Sequence, residues 1–484
     1  MAMHLKGNIL GHYDNFSHWG LVVRIMLQEN RLPSFVDSFL KHQSYPMGTS
    51  IFIYYFCRLV SPAESMMMFA QQIMQLSCLF SLCALIRRKN VLYSIIAVAA
   101  YSVYATVANV SLYDLLVDTV LPVAAVSAFL LIIIYHNQPQ KLSVCLSIML
   151  AWIVSIKNSG LFFYAVSILM LIRISCKNRY NPKMLSVPVI FPPVMVYLWK
   201  RHISYAFSSG LTTAHSMSLS NFKATYAQKS AQSIADIFSQ YFEKMMSYEN
   251  YTFPYLRVIV LATVVFAIFL LCCVAAKKEK EYIVQGIRNW FLIVGFFVAY
   301  HIGMSAMYVF SMPAGEAAYL AGFDRYHYTI EIFCYGALLC VSLLSFEEFS
   351  NCVLAKVGVL AVLLIPLMIN VKAIKPAFGG NRPSNARLNS HYKLIDIKKN
   401  AGMAEKQSYL LFKKGEADTF TSYMMKYEFL SANVRVVNSI EDFDKYKNKY
   451  TYWIIWDGFD LISELECFSS VDGVRVDDAH VFYH

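Results

Sequence analysis

Runs of apolar residues, each close to the length that crosses a bilayer, follow one another along most of this chain. A membrane-spanning α-helix needs about 20 predominantly apolar residues. Ten such segments are separated by polar turns: 66–86, 91–107, 112–135, 142–156, 159–174, 185–200, 255–276, 288–310, 328–346 and 352–371. The pattern predicts an α-helical polytopic membrane protein with about ten visible transmembrane helices.

The part that precedes these segments, residues 1–65, has shorter apolar runs. Residues 18–30 combine Trp19 and Arg24 with apolar neighbours, which is typical of an amphipathic helix lying in the headgroup layer. Residues 47–60 are apolar but short, and counting them as a span would invert the orientation of every later loop. We therefore predict that both stretches are interfacial helices.

The charge of the polar turns predicts the orientation. Turns on one side of the predicted spans are 87–89, 136–141, 173–183, 277–280 and 346–351. Four of these five carry Lys or Arg, so this side is cytoplasmic by the positive-inside rule. Residues 1–65, the loops 201–254 and 311–327, and the tail from 372 are then extracytoplasmic. Export of residues 1–65 requires a helix that enters from the cytoplasm, so we expect a first transmembrane helix upstream of this sequence.

The tail alternates short β-type runs with helical segments. The predicted strands are 409–412, 434–437, 452–456 and 474–476, and the predicted helices are 417–430 and 439–450. This alternation indicates a small extracytoplasmic α/β domain over 372–484, after a transmembrane domain over 66–371. The tail sequence contains neither a Gly-rich phosphate loop nor a nucleophile elbow, so we interpret it as a structural or glycan-contacting appendage.

Composition changes this picture little. Hydrophobic residues make up 57% of the chain and charged residues 15%, against roughly 25% charged residues in soluble domains. The formal net charge of +11 does not indicate a nucleic-acid partner, because Lys and Arg cluster in short loops and form no basic stripe with stacking aromatics. The 11 cysteines follow neither a metal-site spacing nor a disulfide framework.

Three short motifs resemble a known family. They are residues 13–19 (YDNFSHW), Tyr45-Pro46 and residues 157–160 (KNSG). With an external acidic residue, two interfacial helices and many spans, the chain resembles the GT-C superfamily of glycosyltransferases. That superfamily includes the protein O-mannosyltransferases and the lipid A aminoarabinose transferase, and the motifs look most like bacterial members associated with cell-surface polysaccharides. The resemblance implies transfer of a sugar from a polyprenyl-phosphate carrier to an acceptor on the outer face.

The resemblance places the family's catalytic Asp at Asp14. Transfer from a sugar phosphate needs a base that takes the acceptor proton, and a carboxylate ionised at neutral pH can act as one. The alternative is a solvated Asp that caps the following helix. Some relatives have an acidic pair where this chain has a single Asp, so metal dependence stays open.

Lys157 and Arg325 are the predicted ligands of the donor phosphate. The leaving group is a lipid phosphate, and cations at the outer membrane level stabilise the charge that develops on its oxygens. Lys157 lies in a tight outer turn, on the side that positive charge avoids. The alternatives are snorkelling of Lys157 to the headgroups and a salt bridge from Arg325 to Asp324 or Glu316.

Asp114 and Asp118 lie four residues apart at the outer end of predicted span 112–135. We expect them on one helical face, one turn apart. Paired carboxylates at this level are costly unless they serve a function, such as binding a cation, positioning the acceptor or holding Lys157. For Asp114 the alternative is a simple helix cap.

Glu316, His215 and His327 are predicted to be external, where they would contact sugar hydroxyls. An isolated His in a loop is more often only solvated. The long loop 201–254, with a helical segment at 230–248, is predicted to cover the site as a lid.

The leading hypothesis is an inverting glycosyltransferase of the cell membrane. Its partners would be a polyprenyl-phosphate sugar, a glycan, teichoic acid or lipid acceptor, and the bilayer. One alternative is a polysaccharide polymerase or ligase that uses Arg and His of the external loops. Another is a transporter or flippase, which is disfavoured because no internal repeat is visible and charged groups gather at the outer surface instead of the midplane. The sequence indicates no definite cofactor, and the Asp114–Asp118 pair leaves a divalent cation open.

Overall fold

The computed structural model describes residues 5–86, 90–109, 112–207, 219–248, 254–346, 353–371, 374, 386–415, 418–462, 467 and 473–483. Three short helices precede the long ones: α1 (Tyr13–Ser17), α2 (Trp19–Glu29) and α3 (Gly48–Leu59). The predicted helices at 18–30 and 47–60 are therefore confirmed as helices. Their placement in the headgroup layer stays a prediction.

The long helices follow the apolar pattern closely. They are α4 (Glu64–Ser81, continued by a 3₁₀ turn over Leu82–Leu85), α5 (Val91–Val107), α6 (Val120–Ile134), α7 (Pro139–Ile156), α8 (Gly160–Asn178), α9 (Pro182–Ala206), α12 (Arg257–Ala275), α13 (Lys280–Phe310), α15 (Phe323–Ser345) and α16 (Val353–Ile369). The segments between α9 and α12 and between α13 and α15 add α10 (Leu219–Ala227), α11 (Ala231–Met245) and α14 (Ala314–Ala317).

Six of the described helices are long and apolar enough to cross a membrane: α4 with its 3₁₀ turn, α7, α8, α12, α13 and α15. Three further apolar helices, over Val91–Val107, Val120–Ile134 and Ala355–Ile369, are shorter. The prediction of a multi-pass α-helical membrane protein is confirmed. The number of ten spans and the side of each loop stay predictions.

Helices α6 and α15 lie at the centre of the bundle. Helix α6 is apolar on every face, and nearly all of its side chains are buried, as expected for a helix surrounded by others. Helix α15 packs against α6 and is also largely buried. At Gly336 a Cβ atom would lie 2.7 Å from the Tyr101 hydroxyl, so only glycine permits this close approach.

The prediction of one span over 112–135 is wrong at its start. Helix α6 begins only at Val120, and the preceding residues form turns. The Gln71 side chain donates to the carbonyls of Asp114 (3.1 Å) and Leu116 (3.0 Å), and the Asn15 side chain accepts from the Leu115 amide (3.1 Å). These side chains satisfy backbone groups that a helix would use, so the segment stays irregular.

The C-terminal domain contains a five-stranded sheet in the order β2-β1-β3-β5-β4. Its elements are α17 (Ala386–Asn400), β1 (Tyr409–Phe412), α18 (Thr419–Phe429), β2 (Val434–Val437), α19 (Ile440–Tyr446), β3 (Tyr452–Ile455), α20 (Phe459–Ile462), β4 (Gly473–Val476) and β5 (Ala479–Tyr483). Strand β1 is parallel to β2 and β3, whereas β5 is antiparallel to β3 and β4. The four predicted strands are confirmed, and β5 was not predicted. Helix α18 packs against α1 and α2.

Candidate functional site

A polar pocket of about 190 Å³ lies where α1, the turn before α6, the α7–α8 turn and the start of α15 meet. Its charged lining residues are Asp14, Lys41, Asp118, Lys157, Glu316 and Arg325. Five of these six are residues that the sequence analysis singled out. Six segments of the chain, with Lys41 from the α2–α3 loop and Glu316 from α14, therefore contribute charged side chains to a single cavity.

Asp14 projects into the pocket from α1. The His12 side chain caps this helix and accepts a hydrogen bond from the Asp14 amide at 3.1 Å. Arg325 donates from Nη1 to Asp14 Oδ2. Burial raises the pKa of Asp14, but the charge of Arg325, with a smaller contribution from His12, overcomes this effect and lowers it to about 2. Asp14 is therefore a carboxylate at neutral pH.

Asp118 lies between the two predicted phosphate ligands. Lys157 Nζ donates to Asp118 Oδ1 at 2.7 Å, and Arg325 Nε lies 3.6 Å from Asp118 Oδ2. Since Arg325 also contacts Asp14, cations and carboxylates alternate in the order Lys157, Asp118, Arg325, Asp14. We call these four residues the charged chain. Arg325 pairs with neither Asp324 nor Glu316, the two partners considered for it from the sequence.

Two local features hold this arrangement. Asn109 donates to the carbonyls of Asp118 (3.2 Å) and Arg325 (3.1 Å), which ties the turn before α6 to α15. The α7–α8 turn that presents Lys157 is tight because Gly160 has no side chain: a Cβ there would press on the backbone of α7, with Val154 Cα at 3.2 Å. Sequence reasoning missed Asn109, which carries no signal beyond its place at a span end.

The charged chain keeps capacity to bind an anion. Arg325 Nε is buried without a hydrogen-bond partner among the described residues. Lys157 carries three N–H donors. Its ammonium lies 4.9 Å from the Tyr326 ring centre, and the Arg325 guanidinium lies 5.5 Å from the same centre. Unused donors beside an aromatic wall are suited to the oxygens of a phosphate.

An apolar groove of about 380 Å³ lies beside the polar pocket. The two cavities share Tyr45, Lys157 and Tyr326 as lining residues. Further along, aromatic and Met side chains of α8, α10 and α13 line the groove: Phe162, Phe222, Tyr300, Met304, Met307 and Phe310. Lys157 therefore stands at the boundary between a charged cavity and a hydrocarbon-like one. Sequence analysis noted the Tyr45-Pro46 motif but not the role of Tyr326 as a shared wall.

Asp114 does not share a helical face with Asp118, because both residues precede α6. Its carboxylate accepts from the Asn15 side chain at 2.9 Å, and burial raises the pKa of Asp114 to about 6. The Asp118 oxygens already face Lys157 and Arg325. The two carboxylates therefore do not converge on a cation in this arrangement, and Asp114 instead fixes the helix that carries Asp14.

The remaining predicted residues are dispersed. Glu316 lines the polar pocket and lies 3.9 Å from Lys41. His327 was expected outside the bundle, but it is 1% exposed and hydrogen-bonds within it, so it does not reach the pocket. His215 lies outside the described residues. The predicted helix at 230–248 is present as α11, and Phe222 of α10 lines the apolar groove.

A second ionic network lies inside the helical bundle. Glu331 accepts from Arg257 at 2.7 Å and faces His327 at 2.9 Å, and the His327 ring lies 3.3 Å from that of His301. The Tyr241 hydroxyl on α11 continues the network to His301 at 2.7 Å. Because Arg257 is the first residue of α12, the network begins at a helix end. The expectation that charged groups gather at the outer surface instead of the midplane stays a prediction. The network is internally paired and fixes α15, which carries Arg325, against its neighbours.

Comparisons with known proteins find similar solved structures and no relative by sequence. No protein-family model and no curated protein matches this sequence. The crystal structure of ArnT from Cupriavidus metallidurans bound to undecaprenyl phosphate is similar over 99% of this chain and 95% of that one, with 14% identity and a TM-score of 0.46. The apo structure of ArnT from the same organism gives 15% identity and a TM-score of 0.43 with the same coverage.

Proposed function

We propose that this protein is an inverting glycosyltransferase that moves a sugar from a polyprenyl-phosphate carrier to an acceptor hydroxyl at the outer membrane face. The observation that supports this best is the position of the charged chain. It combines a carboxylate with two cations beside the wall that the polar pocket shares with the apolar groove. A polyprenyl-phosphate sugar matches this arrangement, because a polar sugar, a charged phosphate and an apolar isoprenoid tail follow one another along the molecule.

The donor would lie across the boundary between the two cavities. The isoprenoid chain would occupy the groove lined by Phe162, Phe222 and Met304, where burial of apolar surface favours binding by roughly 25 cal/mol per Å². The phosphate would lie beside Lys157 and Arg325. The sugar would then occupy the polar pocket, with its anomeric carbon near Asp14.

In the transfer step, the acceptor oxygen forms a bond to the anomeric carbon while the bond from that carbon to the phosphate oxygen breaks. Asp14 accepts the proton that the acceptor hydroxyl loses. The electron pair of the broken bond stays on the lipid phosphate, and the cations Lys157 and Arg325 stabilise the added charge. Attack from the face opposite the phosphate inverts the anomeric configuration.

Binding of the phosphate-bearing lipid can be tested without knowing the sugar. Native mass spectrometry or ligand-quenched fluorescence would measure affinity for undecaprenyl phosphate in purified wild-type protein and in a Lys157→Met variant. A hydrogen bond to a charged group contributes about 1.5–3 kcal/mol, so we expect affinity to fall about 10- to 100-fold.

The matched control is Lys223→Met, which makes the same change at an exposed lysine of α10. It should bind as the wild type does. Equal affinities of the Lys157 variant and the wild type would remove Lys157 from the phosphate site and with it the proposed placement of the donor.

A further inference from the structure

The peptide that leads into α1 is held from two sides. The Leu10 amide donates to Glu64 Oε2 at 2.6 Å, and its carbonyl accepts from His391 Nδ1 at 2.8 Å. Glu64 is the first residue of α4 in the transmembrane domain, whereas His391 belongs to α17 of the C-terminal domain. We call Leu10, Glu64, His391 and Glu428 the joint, because three parts of the chain meet there.

The hydrogen bonds of the joint define the charge of His391. Its Nδ1 faces a backbone carbonyl, which can only accept, so Nδ1 carries a proton. Its Nε2 lies 2.8 Å from Glu428 Oε1, and a carboxylate requires a second donor there. The ring is fully buried and both nitrogens donate, so His391 is an imidazolium.

Charged and titratable groups surround this imidazolium. From α2, Arg24 pairs with Glu428 at 3.2 Å, and Lys398 of α17 lies 4.0 Å from the same carboxylate. The Tyr427 hydroxyl donates to Glu64 at 2.5 Å. Burial lowers the pKa of His391, but the carboxylates of Glu64 and Glu428 outweigh burial and raise it above its ordinary value. Glu405 accepts from Lys398 at 2.6 Å and lies 3.5 Å from Arg24. The three cations Arg24, His391 and Lys398 therefore face the three carboxylates Glu64, Glu405 and Glu428.

The same domain supports the helix that carries Asp14. Phe16 of α1 is fully buried, and its ring centre lies 4.8 Å from His391, 5.5 Å from Phe420 and 5.3 Å from Tyr427. Asp14 itself points away from these rings toward Arg325. The contacts of the C-terminal domain therefore reach the proposed base through a short, buried helix.

We propose that His391, in its doubly protonated form, is a positioning residue: through the joint, the C-terminal domain holds α1 so that Asp14 faces the donor. Loss of one imidazole proton places a lone pair against the Glu428 carboxylate or the Leu10 carbonyl, and α1 loosens. Folding raises the pKa of His391, so the stabilisation that its charge provides is fully present below about pH 6.5, the ordinary histidine pKa. It is lost as pH rises through the pKa that His391 has in the folded protein. The role of Asp14 in this proposal depends on the proposed function, whereas the joint does not.

Hydrogen exchange of the full-length protein tests the joint without any activity. Amide exchange over residues 5–20 would be measured at pH 6 and pH 9 and corrected for the intrinsic rate. We expect protection in the wild type to fall at least tenfold at pH 9. In His391→Gln both N–H donors are on one nitrogen, so the side chain cannot donate to the Leu10 carbonyl and the Glu428 carboxylate together. Protection should therefore be low at both pH values. His136→Gln, at an exposed histidine, should behave as the wild type does.

Protection that is independent of pH in the wild type would overturn the proposal, and this measurement does not depend on whether a variant folds.

In a transfer assay, His391→Gln should lower kcat at least tenfold and leave the KM for the donor unchanged. It should also remove an alkaline limb that the wild type shows in its pH profile. A normal kcat and pH profile in this variant would also overturn it. If Asp14→Asn retained transfer while the exchange result held, the proposed function would fail and the joint would stand.

Discussion

Replacing Asp14 by Asn is the most direct test of the reaction centre. The substitution keeps the size of the side chain and removes its charge and basicity. General base catalysis contributes about 10²- to 10⁴-fold to rate, which corresponds to roughly 2.7–5.4 kcal/mol of barrier at 1.36 kcal/mol per tenfold. We expect kcat to fall by that factor. Arg325 keeps its neighbour Asp118 at 3.6 Å, so the variant should insert and be recovered in normal amounts.

The assay would follow transfer of a radiolabelled sugar from a polyprenyl-phosphate donor in membranes from cells that supply the acceptor. Asp324→Asn is the matched control, because Asp324 is one residue from Arg325 and its side chain is 58% exposed and paired with Lys244. The control should retain wild-type kcat and KM.

The two steady-state constants distinguish a base from an anchor. If Asp14 only held Arg325, the Asn variant would raise the KM for the donor and leave kcat within about twofold of wild type. That result, or full activity, would refute the assignment of Asp14 as the proton acceptor.

Further predictions concern the turn, the titration of the base and the groove. Gly160→Ala should lower stability by about 1–3 kcal/mol in a thermal unfolding assay, because its Cβ would press on the backbone of α7, whereas Gly303→Ala, where a Cβ meets no atom within 4 Å, should not. Arg325 lowers the pKa of Asp14 to about 2, so the base stays ionised above that pH. The pH profile of kcat/KM should therefore show no acid limb from Asp14 between about pH 4 and 7. An acid limb centred in that range that Arg325→Lys leaves in place would contradict the pairing of Asp14 with Arg325. Phe222→Ser should raise the KM for a long-chain donor several-fold and leave that for a short-chain analogue unchanged, and equal effects on both donors would exclude the groove as the isoprenoid site.

The sequence predicted which helices form more accurately than it predicted the residues at which they begin. Nine of the ten apolar segments correspond to a described helix over most of their length, because a run of about 20 apolar residues has few other stable forms. The exception is the start of the segment 112–135. Its apolar composition suggested helix, but Gln71 and Asn15 bind its backbone from distant parts of the chain. Local pattern contains no information about such partners.

The sequence predicted several residues that line the candidate site, but not which of them contact one another. Orientation from loop charge placed Asp14, Asp118, Lys157 and Arg325 on one side of the membrane, and all four line a single pocket. Their alternating order depends on how four distant segments pack, so the sequence could not show that Arg325 lies between two carboxylates. The same holds for His391, which stands in a polar helix with no motif around it.

The adjacency of the charged cavity and the apolar groove affects how a substrate would arrive. A long-tailed donor that slides sideways from the surrounding leaflet would never need to enter water. Its encounter with the protein would then be two-dimensional, and saturation would depend on mole fraction in the lipid, not on molarity in the buffer. Diluting the donor with inert phospholipid at constant bulk amount should therefore slow turnover, as adding solvent slows a reaction in solution.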